Sequence, residues 1–146
     1  MMMNVLLILI ILLCIIQRNL AVSPVTCTEF TSSTCCNSPS ITFASTITSI
    51  PVDAFQSCSA IVQVVIPSTV TSIGSGAFSG CSSLTSITLP SRLTVLPDFI
   101  FYGCTSLTTV TIPIGVTTLG VDVFSGCKAL PTVIIPTGVI SIGILP

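Results

Sequence analysis

The sequence contains no histidine and no tryptophan, a single tyrosine, and only three basic and four acidic residues, 5% of its 146 positions. Globular chains ordinarily carry about 25% charged residues. Each shortage excludes something. Without histidine the commonest general base is missing, and with it any Ser-His or Cys-His nucleophile. Zinc loses its usual nitrogen ligand, and no C-x-x-C pair is present to open a thiolate site. Three basic residues make no patch, so nucleic acid is excluded as a partner, because phosphate neutralisation needs clustered Lys or Arg. Attraction to anionic lipid fails for the same reason. The reading is therefore no catalytic site, no metal and no cofactor.

What is present is apolar and hydroxylic. Hydrophobic residues make up 51% of the chain, and Ser and Thr supply the cover that charge would normally give. The length suits one domain with a continuous core. Residues Val5 to Ile16 form an unbroken apolar run, VLLILIILLCII, followed by Gln17 and Arg18. A run of that length fits a signal-peptide core of about 7–15 residues and falls short of the roughly 20 that span a bilayer. Residues 1–23 read as an export signal cleaved after Ser23 or Ala21. An uncleaved anchor is the alternative, and would be the chain's only route to a membrane.

Beyond this segment the chain repeats every 23 residues. Pro67, Pro90, Pro113 and Pro136 keep that step, as do Phe55, Phe78, Phe101 and Phe124, and Cys58, Cys81, Cys104 and Cys127. Apolar columns run in phase with them: Ile61, Leu84, Leu107, Leu130; Val64, Ile87, Val110, Val133; Val70, Leu93, Val116, Val139; and Ile50, Ile73, Leu96, Leu119, Ile142. One unit cannot bury its apolar edge alone, but units stacked in register pile like on like into a continuous core. The L-x-x-I-x-L stretch, Leu84 to Leu89, predicts a strand. The proline after it must stop the strand, having no N–H for the ladder. The following V-T-x-I segment, Val70 to Ile73, reads as a second extended edge turning at Gly74 or Gly120.

The segment Val64 to Cys81, VVIPSTVTSIGSGAFSGC, resembles the BspA-type (Treponema pallidum-type) leucine-rich repeat at almost every position, and the likeness extends over about residues 41 to 146. The resemblance implies a repeat solenoid of leucine-rich-repeat type, β-rich, with one parallel-sheet strand per 23-residue unit. It also implies a secreted or cell-surface protein that binds or adheres through a protein or glycan partner, without shared catalytic residues. One departure stands out. The column usually held by Asn or Cys is Thr69, Arg92, Gly115 and Gly138 here, so an Asn ladder cannot satisfy the loop backbone.

The organisation expected is a signal over 1–23, a Cys-containing cap over 24–40, and a solenoid over 41–146 of about four and a half repeats. The last unit stops four residues after Ile142 and leaves Val139, Ile142 and Leu145 uncovered, which favours a fragment of a longer repeat protein as an alternative. Repeat-column cysteines read as buried free thiols. Cys27, Cys35 and Cys36 lie outside the repeat and, in an export context, predict a disulfide-bearing cap with Cys58 as the candidate fourth partner. Among the acids, Asp53 and Asp122 share a repeat position three units apart, too far for paired carboxylates. Only Asp98 and Asp122 could approach, which leaves little for calcium or for a secreted hydrolase.

The remaining candidate surface is the exposed face of the strands: Thr85, Ser86 and Thr88, then Thr108, Thr109 and Thr111, then Thr132, with Val62, Gln63, Val65 and Ile134 among them. This ribbon of hydroxyls and methyls reads either as a Thr-rich strand surface or as a recognition surface like those of other solenoids. Thr109 and Thr111 also resemble a regular ice-binding array, which Val65 and Ile134 interrupt.

Overall fold

The computed structural model describes residues 23–30 and 33–143. The apolar run Val5–Ile16, most of the expected signal segment and the last residues, Leu145 included, lie outside the described residues.

The chain coils into a parallel β-solenoid with three hydrogen-bonded sides. The first side is a five-stranded parallel sheet. It is built from β1 (Val25–Cys27), β2 (Ser40–Phe43), β4 (Gln63–Val65), β6 (Ser86–Thr88) and β8 (Thr109–Val110), in that spatial order. From β2 onward the register is exactly one repeat per rung: Ile41 pairs with Val64, Val64 with Ile87, and Ile87 with Val110. Alternation then decides the faces, because successive strand residues point to opposite sides. Ile41, Val64 and Ile87 are buried, whereas their neighbours Gln63, Val65 and Thr88 are exposed.

The strands end where the prolines stand. Ile66 still donates its N–H to the Thr88 carbonyl at 3.1 Å, but Pro67 has none to give. Each proline carbonyl instead closes a turn, Pro67 to the Val70 N–H and Pro113 to the Val116 N–H. The V-T-x-I segments that follow form the second side, as β3 (Ser49–Ile50), β5 (Ser72–Ile73), β7 (Val95–Leu96), β9 (Thr118–Leu119) and β10 (Ser141–Ile142). The units from β2 to β9 thus contribute a second short strand besides the one on the first side, and the last unit contributes only β10.

This second side is split between β5 and β7, and one residue accounts for the break. Gly74, Gly120 and Gly143 each donate an N–H to the rung before, at the Ile50, Leu96 and Leu119 carbonyls. Pro97 holds the same column and cannot donate to Ile73. Pro131 acts likewise on the first side. Thr85 and Thr108 donate back one rung, to Val62 and Thr85, while Pro131 has no N–H for Thr108, and the five-stranded sheet stops at β8.

The third side is a ladder of turns. Asp53, Phe55 and Ser57 donate to Ser75, Ala77 and Ser79, and the pattern recurs from Gly76 to Asp98 and from Phe99 to Val121. Two columns here adopt left-handed backbone: Asp53, Gly76, Phe99 and Asp122, then Ser57, Gly80, Gly103 and Gly126. The second column is mostly Gly because a Cβ is disfavoured at positive φ.

Inside the coil, Phe55, Phe78, Phe101 and Phe124 stack at centroid separations of 5.4, 6.3 and 5.8 Å, with interplanar angles of 5°, 21° and 19°. Phe30 and Phe43 close the N-terminal end of this stack, each about one ring contact from Phe55, at 6.1 and 5.6 Å. The closing segment is pinned covalently. Cys27 bonds Cys35, and Cys36 at the end of α1 (Ser33–Cys36) bonds Cys58 of the repeat column. A disulfide closing a loop of the latter's size contributes about 3 kcal/mol in the chain-entropy account. At the other end Phe124, Cys127, Val133 and Val139 are half-buried, where Phe101, Cys104 and Val116 one rung earlier are fully buried.

Candidate functional site

The outward face of the five-stranded sheet carries two columns of side chains. Within the sheet the first is Ser40, Gln63, Ser86 and Thr109 and the second is Thr42, Val65 and Thr88; past β8 the 23-residue step continues the first through Thr132 and the second through Thr111 and Ile134, outside the ladder. Neighbouring rungs of a parallel sheet lie about 4.8 Å apart, so like side chains meet like at that interval. Not one of these ten is ionisable. The sheet therefore holds each column in register without charge repulsion, and it offers only hydroxyl, amide and methyl groups to a partner.

Of the residues expected on this ribbon, Ser86, Thr88, Thr109 and Thr111 face outward from the ladder, and Thr132 is exposed one rung further on. Thr85 and Thr108 differ. Their hydroxyls donate to the backbone one rung back, Thr85 Oγ1 to Val62 at 3.0 Å and Thr108 Oγ1 to Thr85 at 3.1 Å. They serve as strand-entry clamps, with the donor proton already committed. Thr71, Thr105 and Thr117 make the same bond elsewhere in the coil. A Thr at the start of a rung is thus a structural device, which spacing alone does not separate from a Thr on the face. Ser40 and Thr42 extend the ribbon by one rung, and stepping back 23 positions from Gln63 and Val65 finds them in the sequence.

Two open depressions interrupt the face at the point where strand meets proline turn. One of about 260 Å³ lies among Thr88, Leu89, Ser91, Thr111 and Pro113. The other, about 330 Å³, lies one rung on, among Thr111, Ile112, Thr132, Ile134 and Pro136. Both combine methyls and proline rings with threonine or serine hydroxyls, the composition of a contact surface for neutral ligands.

The thiols offer no nucleophile. Cys81, Cys104 and Cys127 are free, and each Sγ donates at 3.1 Å to the carbonyl of a Phe one rung back, at Phe55, Phe78 and Phe101. Burial pushes the Cys81 thiol up to about 12 and raises Cys104 and Cys127 as well, against the small lowering from a backbone hydrogen bond. A protonated thiol neither attacks a disulfide nor binds a metal. Carboxylates are equally unpromising. Asp98 accepts the Val121 N–H at 2.7 Å and Asp53 accepts the Gln56 side-chain amide at 3.2 Å. Among the described residues no group of three metal-ligating side chains occurs.

The profile of the BspA type leucine rich repeat region matches residues 28–144, in six copies. The chain belongs to this family. Its matched span begins in the disulfide-pinned segment ahead of residue 41. Among solved structures, the Treponema pallidum leucine rich repeat protein is similar at 34% identity and a TM-score of 0.71, over 73% of this chain and 52% of that one. A leucine rich cell surface protein of Faecalibacterium prausnitzii is 34% identical at a TM-score of 0.67, over 73% of this chain and 32% of that one. A leucine-rich repeat protein of Bacteroides ovatus is 37% identical at 0.64, over 66% and 25%. This BspA-type chain therefore spans about half the length, or less, of the structures it matches. No curated protein sequence matches it. The family is a repeat scaffold of surface proteins rather than an enzyme class, and among the described residues no helix is long and apolar enough to cross a membrane.

Proposed function

We propose that the chain is an extracellular binding module. It adheres to an uncharged protein or glycan surface through the outward face of its five-stranded sheet, and it carries no catalysis. The observation that supports this reading most is the ribbon itself: two columns at the 23-residue step, in register from Ser40/Thr42 to β8 and continued by Thr132/Ile134 beyond it, with no charge among them. A surface of hydroxyls and methyls loses little on desolvation compared with charged groups. It can also meet a repetitive or extended partner once per rung, as solenoid faces do. Export is supported by the apolar Val5–Ile16 segment, by the two disulfides, and by the printed description of the Faecalibacterium relative as a cell surface protein.

The test is adhesion of the full chain to a panel of immobilised extracellular-matrix proteins and neutral glycans at about 50 and 300 mM salt. Binding through an uncharged ribbon is expected to change less than about twofold between the two, since no ion pair is screened. Binding that collapses at the higher salt, or no binding to any member of the panel, would overturn the proposal.

A further inference from the structure

The five-stranded sheet comes apart gradually towards its last strand. Gln63, Val64 and Val65 all pair with the next rung, at Ser86, Ile87 and Thr88, but only Ser86 and Ile87 pair onward, with Thr109 and Val110. Beyond β8 the sheet has no further strand. Single bonds show the same loss. Ile66 reaches forward to the Thr88 carbonyl, and Leu89 and Ile112 hold the same column one and two rungs on. The rung that each would reach, through Thr111 and Ile134, is in place. Yet neither donates its N–H to a backbone carbonyl among the described residues. Both residues are buried, and an orphaned N–H is rare at a buried residue.

The two residues sit at the two depressions of the face. Leu89 lines the one of about 260 Å³ and Ile112 the one of about 330 Å³. The second is a seam, with Val110 and Ile112 on the β8 side and Ile134 and Pro136 on the other. That outer side is loosely held. Thr132, Val133, Ile134 and Ile135 make no backbone hydrogen bond among the described residues. Ile134 and Ile135 are 86% and 42% exposed, whereas Ile112 is 6% exposed. The segment is tied to the rung before it only at its ends, by the Ala129 N–H on Thr105 and the Ile140 N–H on Thr117. Pro131 accounts for the gap, since it stands where Thr85 and Thr108 donate back one rung and has no N–H to give.

We infer that this seam is a strand-capture site: an extended, uncharged segment of a partner protein enters between β8 and residues 131–136 and joins the sheet as its next strand. A carbonyl of that segment accepts the Ile112 N–H. The unmet backbone groups identify the occupant. An edge strand is a template for another polypeptide, whose donors and acceptors satisfy it in series. A glycan hydroxyl can meet one such group but lacks the repeat of about 3.3 Å per residue that continues a ladder. No residue lining the seam is ionisable, so a charged side chain would lose hydration there without a counter-charge. Thr, Val and Ile, the types already standing at the seam, are the side chains that suit a pleated, half-buried surface. Residues 131–136 swing outward on entry, which breaks no backbone bond of Thr132 to Ile135 and moves side chains that are already largely exposed. Capture uses backbone groups at the sheet's edge rather than side chains of its face, so it does not depend on adhesion through the ribbon.

The probe is a labelled Thr-Val-Thr-Ile-Thr peptide, capped at both ends and added to the full chain. It should bind saturably. Two versions methylated at alternate amide nitrogens, along one edge or the other, keep the side chains but lose ladder donors. At least one of them should bind about tenfold more weakly. Amide exchange locates the contact. In the free chain the Ile112 N–H should exchange at least about tenfold faster than the bonded Ile66 N–H, and it should slow on saturation with the peptide. Pro131→Thr copies Thr108 and returns an N–H to the column, letting residues 131–136 close onto β8. That variant should melt no lower than the parent, show slow Ile112 exchange without peptide, and bind the peptide at least about tenfold more weakly. The proposal is overturned if the peptide does not bind, if both methylated versions bind as well as it does, if Ile112 exchanges as slowly as Ile66 in the free chain, or if Pro131→Thr keeps the parent's affinity. Ile112 exchange that slows with rising chain concentration alone assigns the seam to a second copy and overturns it too. Pro131→Thr should leave salt-insensitive adhesion through the ribbon unchanged, so the two readings fail separately.

Discussion

Replacing Phe78 by Ala tests the stacking of the core in a way that a generic core mutation would not. Phe78 is fully buried, with Phe55 at 5.4 Å on one side and Phe101 at 6.3 Å on the other. Truncating a buried Phe costs about 3–5 kcal/mol, as lost transfer energy plus the cavity left behind. Phe124 is the same residue in the same column, yet it is half-buried and has one stacked neighbour, at 5.8 Å. Its truncation should cost about half as much, because half-exposed rings gain less from burial and leave no sealed cavity. At about 4 °C per kcal/mol for a chain of this size, Phe78→Ala should lower the midpoint by about 12–20 °C and Phe124→Ala by about 6–10 °C. Thermal and urea unfolding followed by circular dichroism on the full chain measure both. The shapes should differ too: Phe78→Ala interrupts the stack in its middle and should broaden the transition, whereas Phe124→Ala loosens only its last rung. Equal costs for the two, or a Phe78 cost under about 1.5 kcal/mol, would refute a column whose energy depends on having neighbours on both sides.

Four further outcomes are expected. A Cβ at Gly120 would overlap the Asp98 amide and lie 2.7 Å from the Pro97 carbonyl carbon, so Gly120→Ala should cost about 2–3 kcal/mol. Gly115→Ala, whose nearest neighbour is the Leu93 carbonyl at 3.4 Å, should be neutral or gain a few tenths; reversal of that order in urea titrations would contradict the packing described. Thr69 Oγ1 is buried without a hydrogen-bond partner among the described residues, and Thr69→Val should raise stability by about 1 kcal/mol; a loss instead would show that the hydroxyl is satisfied. Burial raises the Cys81 and Cys104 thiols above their ordinary value of 9.0, so the unfolded chain releases these protons first. Stability should therefore fall as pH rises above about 9 and continue falling towards about 12 for Cys81, with a shallower slope in Cys104→Ala; parallel slopes would sink the argument.

Much of this was legible before any fold was drawn, because a repeat converts spacing into contact. The columns through Phe78, Ile87 and Cys81 name the core, and adding 23 to a residue number names its neighbour in the next rung. The prolines were equally informative about strand ends at Pro67 and Pro90. Their second effect was hidden. Pro97 and Pro131 break ladders only because other residues of their columns, such as Gly74 and Thr108, donate an N–H there, and donation is a property of the folded register. The disulfide pairing was hidden for a similar reason. Cys35 and Cys36 are adjacent in sequence, and a single turn of helix sends one to Cys27 and the other to Cys58. The face was half legible: Thr88 and Thr111 point outward as alternation requires, but Thr85 and Thr108, three residues earlier, turn their hydroxyls onto backbone carbonyls. The strain at Phe99 left a trace, since Phe stands in a column of Asp and Gly. Without φ values that reads as ordinary repeat variation.

If the uncharged outward face at β6 and β8 holds the partner, charge placed on it must weaken adhesion. Adhesion of the full chain carrying Thr88→Lys and Thr111→Lys together is compared with that of the parent, on whichever panel member the parent binds. These two exposed residues stand one repeat apart, directly after the paired residues Ile87 and Val110, and border the same depression. Two like charges about 4.8 Å apart should therefore disfavour a neutral partner strongly while leaving the core untouched. The expected result is a loss of adhesion of at least about tenfold, or about 1.4 kcal/mol, with the melting temperature within a few degrees of the parent. Undiminished adhesion by a folded double variant would contradict the claim and place the contact elsewhere on the solenoid.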